Sequence, residues 1–209
     1  ARPEHLDLVP SMHAQKGLAV PQAGLDRGRE LLARRQSDPA TMAKFEAALM
    51  DNTKSGWSRL GAFDPKERSH TLDLLGFEMQ WVLPTYAFHQ TLHAAHDEAL
   101  AATSITLNRA MANFCAHDPR LKAVGYIPLN LGPERAKAIM DQGFEDGCYT
   151  LLVPTNEPNP ENKSYTHPDF DPIWAGFAER GIPAGIHVAA NGDYNPVSPS
   201  FKNNGKSEL

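Results

Sequence analysis

Cysteine is nearly absent. The 209-residue chain holds two, Cys115 and Cys148, too few for a disulfide framework and without the C-x-x-C spacing of a structural metal site. A reducing compartment, the cytoplasm, is the matching expectation. Long apolar runs are also missing. None approaches the ~18 residues that span a bilayer, and the opening ARPEHLDLVPSM lacks the apolar core of a secretory leader. Basic charge is not in excess: 20 Lys and Arg stand against 25 Asp and Glu, a net charge of -5. Neither a basic balance nor a basic patch is present, which argues against a general nucleic-acid binder. No G-x-G-x-x-G or G-x-x-x-x-G-K-[ST] follows any candidate strand, so no phosphate-cradling loop is expected. The G-x-S-x-G elbow of serine hydrolases is missing as well.

What remains is ordinary soluble-protein material, 41% hydrophobic and 22% charged. The length suits one domain, or one domain with an irregular segment. Residues 1–63 are punctuated by Pro3, Pro10, Pro21 and Pro39. They read as an N-terminal arm or excursion with one or two short helices, Leu25–Arg35 and Pro39–Met50. From Asp64 to residue 209 a regular alternation takes over. Asp64-Pro65 opens a helix as N-cap and first-turn proline, and Gly76 stops it. Phe77–Leu83 reads as a strand and Leu92–Ala116 as a long helix, with Leu100, Leu107, Met111 and Phe114 on one face. Leu121–Leu129 is the next strand, and Pro133-Glu134 begins a helix that Gly143 ends. Cys148–Val153 is a third strand. Asp171-Pro172 opens a helix ended by Gly181, and Ile182–Val188 is a fourth strand. Strands alternating with helices specify a parallel sheet covered on both faces. A barrel and an open doubly wound sheet both satisfy that pattern. The missing phosphate loop puts the barrel ahead.

In such folds the working residues lie at the carboxyl ends of the strands. Those ends are Pro84-Thr85-Tyr86, Pro128-Leu129-Asn130, Pro154-Thr155-Asn156 and His187-Val188. His187 is the one histidine inside a predicted core strand, and an imidazole there suits a Zn²⁺ or similar ion. It also suits a hydrogen-bonded core residue. His89, His93 and His96 cluster, but H-Q-T-L-H lacks the glutamate of H-E-x-x-H, and a solvated helix start explains them better. His70 is expected at the surface, and His117 at a helix C-terminus. Arg68, with Asp64 and Asp73 nearby, is expected in a structural ion pair at the helix start, the alternative being substrate binding. Both cysteines are expected to be buried and inert.

Several blocks, taken in order, resemble the amidohydrolase-related family, which includes the aminocarboxymuconate-semialdehyde decarboxylase-like enzymes. They are Glu67-Arg68, Leu72-Asp73, Gly76-Phe77-Glu78-Met79-Gln80 and Pro84-Thr85; then Asn108-Arg109-Ala110-Met111-Ala112-Asn113-Phe114-Cys115, Asp118-Pro119-Arg120-Leu121 and Gly125-Tyr126-Ile127-Pro128-Leu129. Gly143-Phe144-Glu145-Asp146-Gly147, Leu151-Leu152-Val153-Pro154-Thr155, Phe170-Asp171-Pro172-Ile173-Trp174 and Gly181-Ile182-Pro183-Ala184-Gly185-Ile186-His187-Val188 complete the series. The resemblance runs from about residue 64 to residue 205. It implies a (β/α)₈ TIM barrel of the metal-dependent hydrolase type, of which this chain supplies about strands two to five. It further implies a divalent metal, usually zinc, and hydrolysis or non-oxidative decarboxylation of a small carboxylic acid. His187 matches the family's histidine ligand on the fifth strand. Thr85, Asn156 and His167 are the candidates for lining the substrate pocket. Dimers are common among similar proteins, so a homodimer is the assembly to expect.

The departures are equally specific. The family's first-strand H-x-H is absent, and its sixth-strand histidine and eighth-strand aspartate have no counterpart here. The chain therefore reads as an internal piece of a longer enzyme. The competing expectation is a barrel-derived scaffold or interaction domain without a metal site.

Overall fold

The computed structural model describes residues 22–51, 59–92, 94, 96–153 and 166–187. Their elements run α1 (Gln22–Ser37), α2 (Pro39–Ala47), α3 (Pro65–Leu75), β1 (Gln80–Val82), α4 (Thr85–Leu92), α5 (Asp97–Cys115) and β2 (Leu121–Tyr126). Then come α6 (Pro133–Glu145), β3 (Thr150–Val153), α7 (Asp171–Arg180) and β4 (Gly185–Ile186). Short 3₁₀ turns at Leu129–Leu131 and Pro168–Phe170 precede α6 and α7. No described helix is long and apolar enough to cross a membrane.

The strands form one sheet in the order β1-β2-β3-β4. β2 pairs with β3, and β3 with β4, both in parallel; Tyr126 stands opposite Leu152, and Leu152 opposite Gly185. A doubly wound sheet reverses its strand order at a switch point. No reversal occurs among the described strands. α6 and α7 are the crossovers that parallel neighbours require.

Helix starts follow local chemistry. Asp38 and Asp64 sit in extended backbone before Pro39 and Pro65, and their carboxylates accept from Ala40 N–H and from Lys66 and Glu67 N–H. Proline loses nothing at the first helical position, where its missing donor would have been unpaired. The expected helix Leu92–Ala116 starts later, as α5 at Asp97, and a separate helix, α4, precedes it at Thr85–Leu92. His96 Nδ1 accepts from Ala99 N–H at 3.3 Å and so caps α5, and Asp97 and Glu98 lie at its positive end.

Helix ends explain why β1, β3 and β4 are shorter than their apolar runs. Gly76 and Gly181 adopt the left-handed conformation, with φ of 67° and 61°. The next amide then folds back on the helix: Phe77 N–H bonds Leu72 C=O, and Ile182 N–H bonds Phe177 C=O. After α6 the same arrangement uses Gly147, and Cys148 N–H bonds Gly143 C=O. The first apolar residues of three expected strands are thus spent on caps. β4 shrinks further because Pro183 has no N–H to offer a neighbour.

The described residues group into two compact units, with boundaries inside β1, α5 and β2. One contains Val82–Asn113 and the described residues from Ala123 onward. Its core joins Phe88, Leu100, Leu107, Val124, Tyr126, Leu131, Ile139 and Leu152. Phe88 meets Tyr126 edge to face, ring centroids 4.9 Å apart, the geometry aromatic quadrupoles favour.

The other unit contains α1–α3, the residues through Trp81, and Phe114–Lys122. Its centre is ionic. Arg35 of α1 grips Glu67 of α3 with two parallel bonds, Nε to Oε1 and Nη2 to Oε2, each 2.8 Å. The guanidinium lies 4.6 Å from the centroid of the Phe45 ring, and Glu67 Oε2 also accepts from Gly61 N–H at 3.1 Å. Gly61 has φ of 75°, and a Cβ there would lie 2.7 Å from Arg68 Cα. Arg68 corrects the sequence expectation. It binds neither Asp64 nor Asp73 but donates to Gly61 C=O at 2.8 Å and to Gln80 Oε1 at 3.3 Å. Asp64 is engaged as a cap, and Asp73 pairs with Arg120 at 2.6 Å.

Arg120 also clasps Asp118, whose Oδ2 accepts from Nη2 at 2.8 Å and whose Oδ1 accepts from Arg120 N–H at 2.9 Å. The side-chain bonds from Arg120, then its backbone amide, hold the Asp118 carboxyl well below the usual carboxylate range. A carboxyl depressed in the folded state stabilises the fold above its unfolded value of ~3.9. That contribution is lost as pH falls from there toward the folded value. The urea midpoint is therefore expected to fall as pH drops from about 4 to 2. In Asp118→Asn it should already be lower at pH 7 and change less over that acid range. Equal acid losses in the two proteins would show that Asp118 contributes nothing to them.

Candidate functional site

Parallel pairing brings the carboxyl ends of β2, β3 and β4 to one end of the sheet. β4 ends at Ile186, so His187 is the first residue beyond it, and it is exposed. Beyond β2, Ile127 N–H bonds Leu152 C=O at 3.0 Å, and the chain enters the 3₁₀ turn that carries Asn130. Beyond β1, Pro84 is followed by Thr85, which opens α4 and is exposed. α4 lies at the carboxyl end of β2, because its Phe88 packs on the ring of Tyr126, the last residue of that strand. Asn156 lies outside the described residues.

His167 sits between β3 and α7 as a cap. Its Nδ1 accepts from Asp169 N–H at 3.2 Å, and the Asp169 carboxylate is 3.4 Å from the same nitrogen. That engagement directs Nδ1 toward the backbone and leaves Nε2 as the ring atom for any further contact. His93 and the His89 side chain lie outside the described residues, and His96 is committed to α5. His70 Nε2 lies 2.6 Å from Glu46 Oε1.

A closed or catalytic zinc site takes three or four protein ligands. Among the described residues no three His, Cys, Asp or Glu side chains converge. His187 supplies a single nitrogen at the expected end of the sheet. The described residues do not by themselves fit a zinc ion.

The strand ends are held from behind by a residue that periodicity passes over. Asn108 of α5 is buried, 1% exposed. Its Nδ2 donates to Tyr126 C=O at 3.0 Å, and its Oδ1 accepts from Tyr126 N–H at 2.7 Å. The need for it follows from the ladder. Ala123 and Ile127 bond β3 through Tyr149 N–H and Leu152 C=O, so by alternation Tyr126 turns its backbone groups toward the other edge. There the Asn108 carboxamide bonds both groups in place of a strand. Gly125 and Gly143 leave room for it: a Cβ on either would lie 2.6 Å from Oδ1 or 3.1 Å from Nδ2. An asparagine beside Leu107 on an apolar helix face, with glycine at 125, is the signal that was available in the sequence.

Both thiols are buried, as expected from the sequence. Burial pushes the Cys115 thiol up to about 11, against a smaller opposing pull from Arg68. Cys148 Sγ donates to Asn108 C=O at 3.4 Å. Thiolate is the reactive form, so iodoacetamide at pH 7 to 8 should label neither cysteine in the native protein and both in urea. Rapid labelling of the native chain would contradict the burial of these groups.

No family model matches the sequence, and no curated protein does. Among solved structures, the chain is similar to a crystal structure of an amidohydrolase from Mycobacterium avium subsp. paratuberculosis K-10. The identity is 24%, the TM-score 0.49, and the match covers 63% of this chain. The chain spans about a third of that protein's length, 36%.

Proposed function

We propose that this chain is a section of a metal-dependent, amidohydrolase-type (β/α)₈ barrel enzyme, a hydrolase or non-oxidative decarboxylase acting on a small carboxylic acid. The observation that carries the reading is the unreversed order of the four strands, with His187 the first residue past β4. That is the order a barrel requires, and the end at which barrel enzymes place their chemistry. The ordered blocks from Glu67 to Val188 support it from the sequence side. In this reading His187 is one metal ligand, and the remaining ligands come from parts of the full-length protein outside the described residues. Thr85, Asn156 and His167 line the substrate pocket.

The test is metal content and turnover of the full-length protein, by elemental analysis and by assay on small carboxylic acids. The wild type should carry bound divalent metal. His187→Ala should lose it together with activity, while with metal stripped from both proteins its unfolding free energy stays within about 0.5 kcal/mol of the parent's, as for an exposed site. A full-length protein that holds no metal, or one whose metal is unchanged by His187→Ala, would overturn the assignment. The metal-free outcome would favour the scaffold reading instead.

A further inference from the structure

We draw no further inference here: the strongest candidate, the exposed apolar patch of Phe77, Met79 and Trp81 running into and along the edge strand β1, carries nothing because nothing in the structure shows what covers it.

Discussion

Glu67→Ala is expected to destabilise the unit built on α1–α3 by about 3–5 kcal/mol, the cost of stranding a buried charge. The Arg35 side chain is 0% exposed and Glu67 5%, so water cannot replace the lost partner. The Gly61 amide loses its acceptor in the same step. Arg35→Met should cost a similar amount, because it strands the carboxylate instead. The double variant Arg35→Met/Glu67→Leu removes both charges, and it should be more stable than either single variant. Phe45→Leu removes only the ring under the guanidinium, with an expected loss nearer 1 kcal/mol. Urea titration of the four variants separates these outcomes. Single variants costing under about 1 kcal/mol would mean that the pair behaves as a solvated surface bridge, and the buried geometry would be wrong.

This ion pair was not legible in the sequence. Arg35 and Glu67 are 32 residues apart, and no local pattern pairs them. Nothing local marks one arginine of LDRGRELLARR as the buried one. Arg68 failed for the opposite reason. Asp64 and Asp73 flank it in sequence, but one is needed as a cap and the other meets Arg120, so proximity along the chain pointed to the wrong partners. The alternation of elements was legible, because proline and aspartate mark helix starts and glycine marks their ends by local chemistry alone. The apolar positions of the helices opened by Pro133 and Asp171 were legible as well: Ala136, Ile139, Met140, Ile173 and Phe177 are buried, and Trp174 is half-buried. Two errors came from treating a signal as having one meaning. Gly143 read as a helix stop, yet α6 runs on to Glu145; the residue is glycine because Asn108 and Leu151 press against it. His96 read as part of a solvated cluster, because histidine is not among the usual N-cap residues. At the candidate site, the order of the strand ends followed from the alternation, but His187, read inside a core strand, lies one residue past β4 and is exposed. The residues beyond β3 that include Asn156 fall outside the described structure.

Asn108→Ala should cost about 2–6 kcal/mol, since it leaves both the N–H and the C=O of Tyr126 buried without partners at roughly 1–3 kcal/mol each. Asn108→Asp separates the two bonds. It keeps the acceptor for Tyr126 N–H but places a second oxygen against Tyr126 C=O, so it should also destabilise, and less so in acid, where the carboxyl can donate. The strongest check is a double-mutant cycle with Gly125. Gly125→Ala puts a Cβ 2.6 Å from Asn108 Oδ1 and 2.5 Å from Leu151 Cδ2, so alone it should be costly, because overpacking a dense core strains its neighbours. In the Asn108→Ala background half of that collision is gone, and the added methyl enters space the carboxamide has left. Gly125→Ala should then cost less, with a coupling of about 0.5–3 kcal/mol between the two sites. Strict additivity would mean that Asn108 does not occupy the hollow above Gly125. The end of β2 would then be held by something other than this carboxamide. Because that strand end leads directly into Ile127–Leu131, the same cycle read by amide exchange of residues 126–131 reports whether the clamp orders the turn at the candidate site. Protection there should fall in Asn108→Ala more than protection of α7, which shares the unit but supplies none of the Asn108 side chain's hydrogen-bond partners.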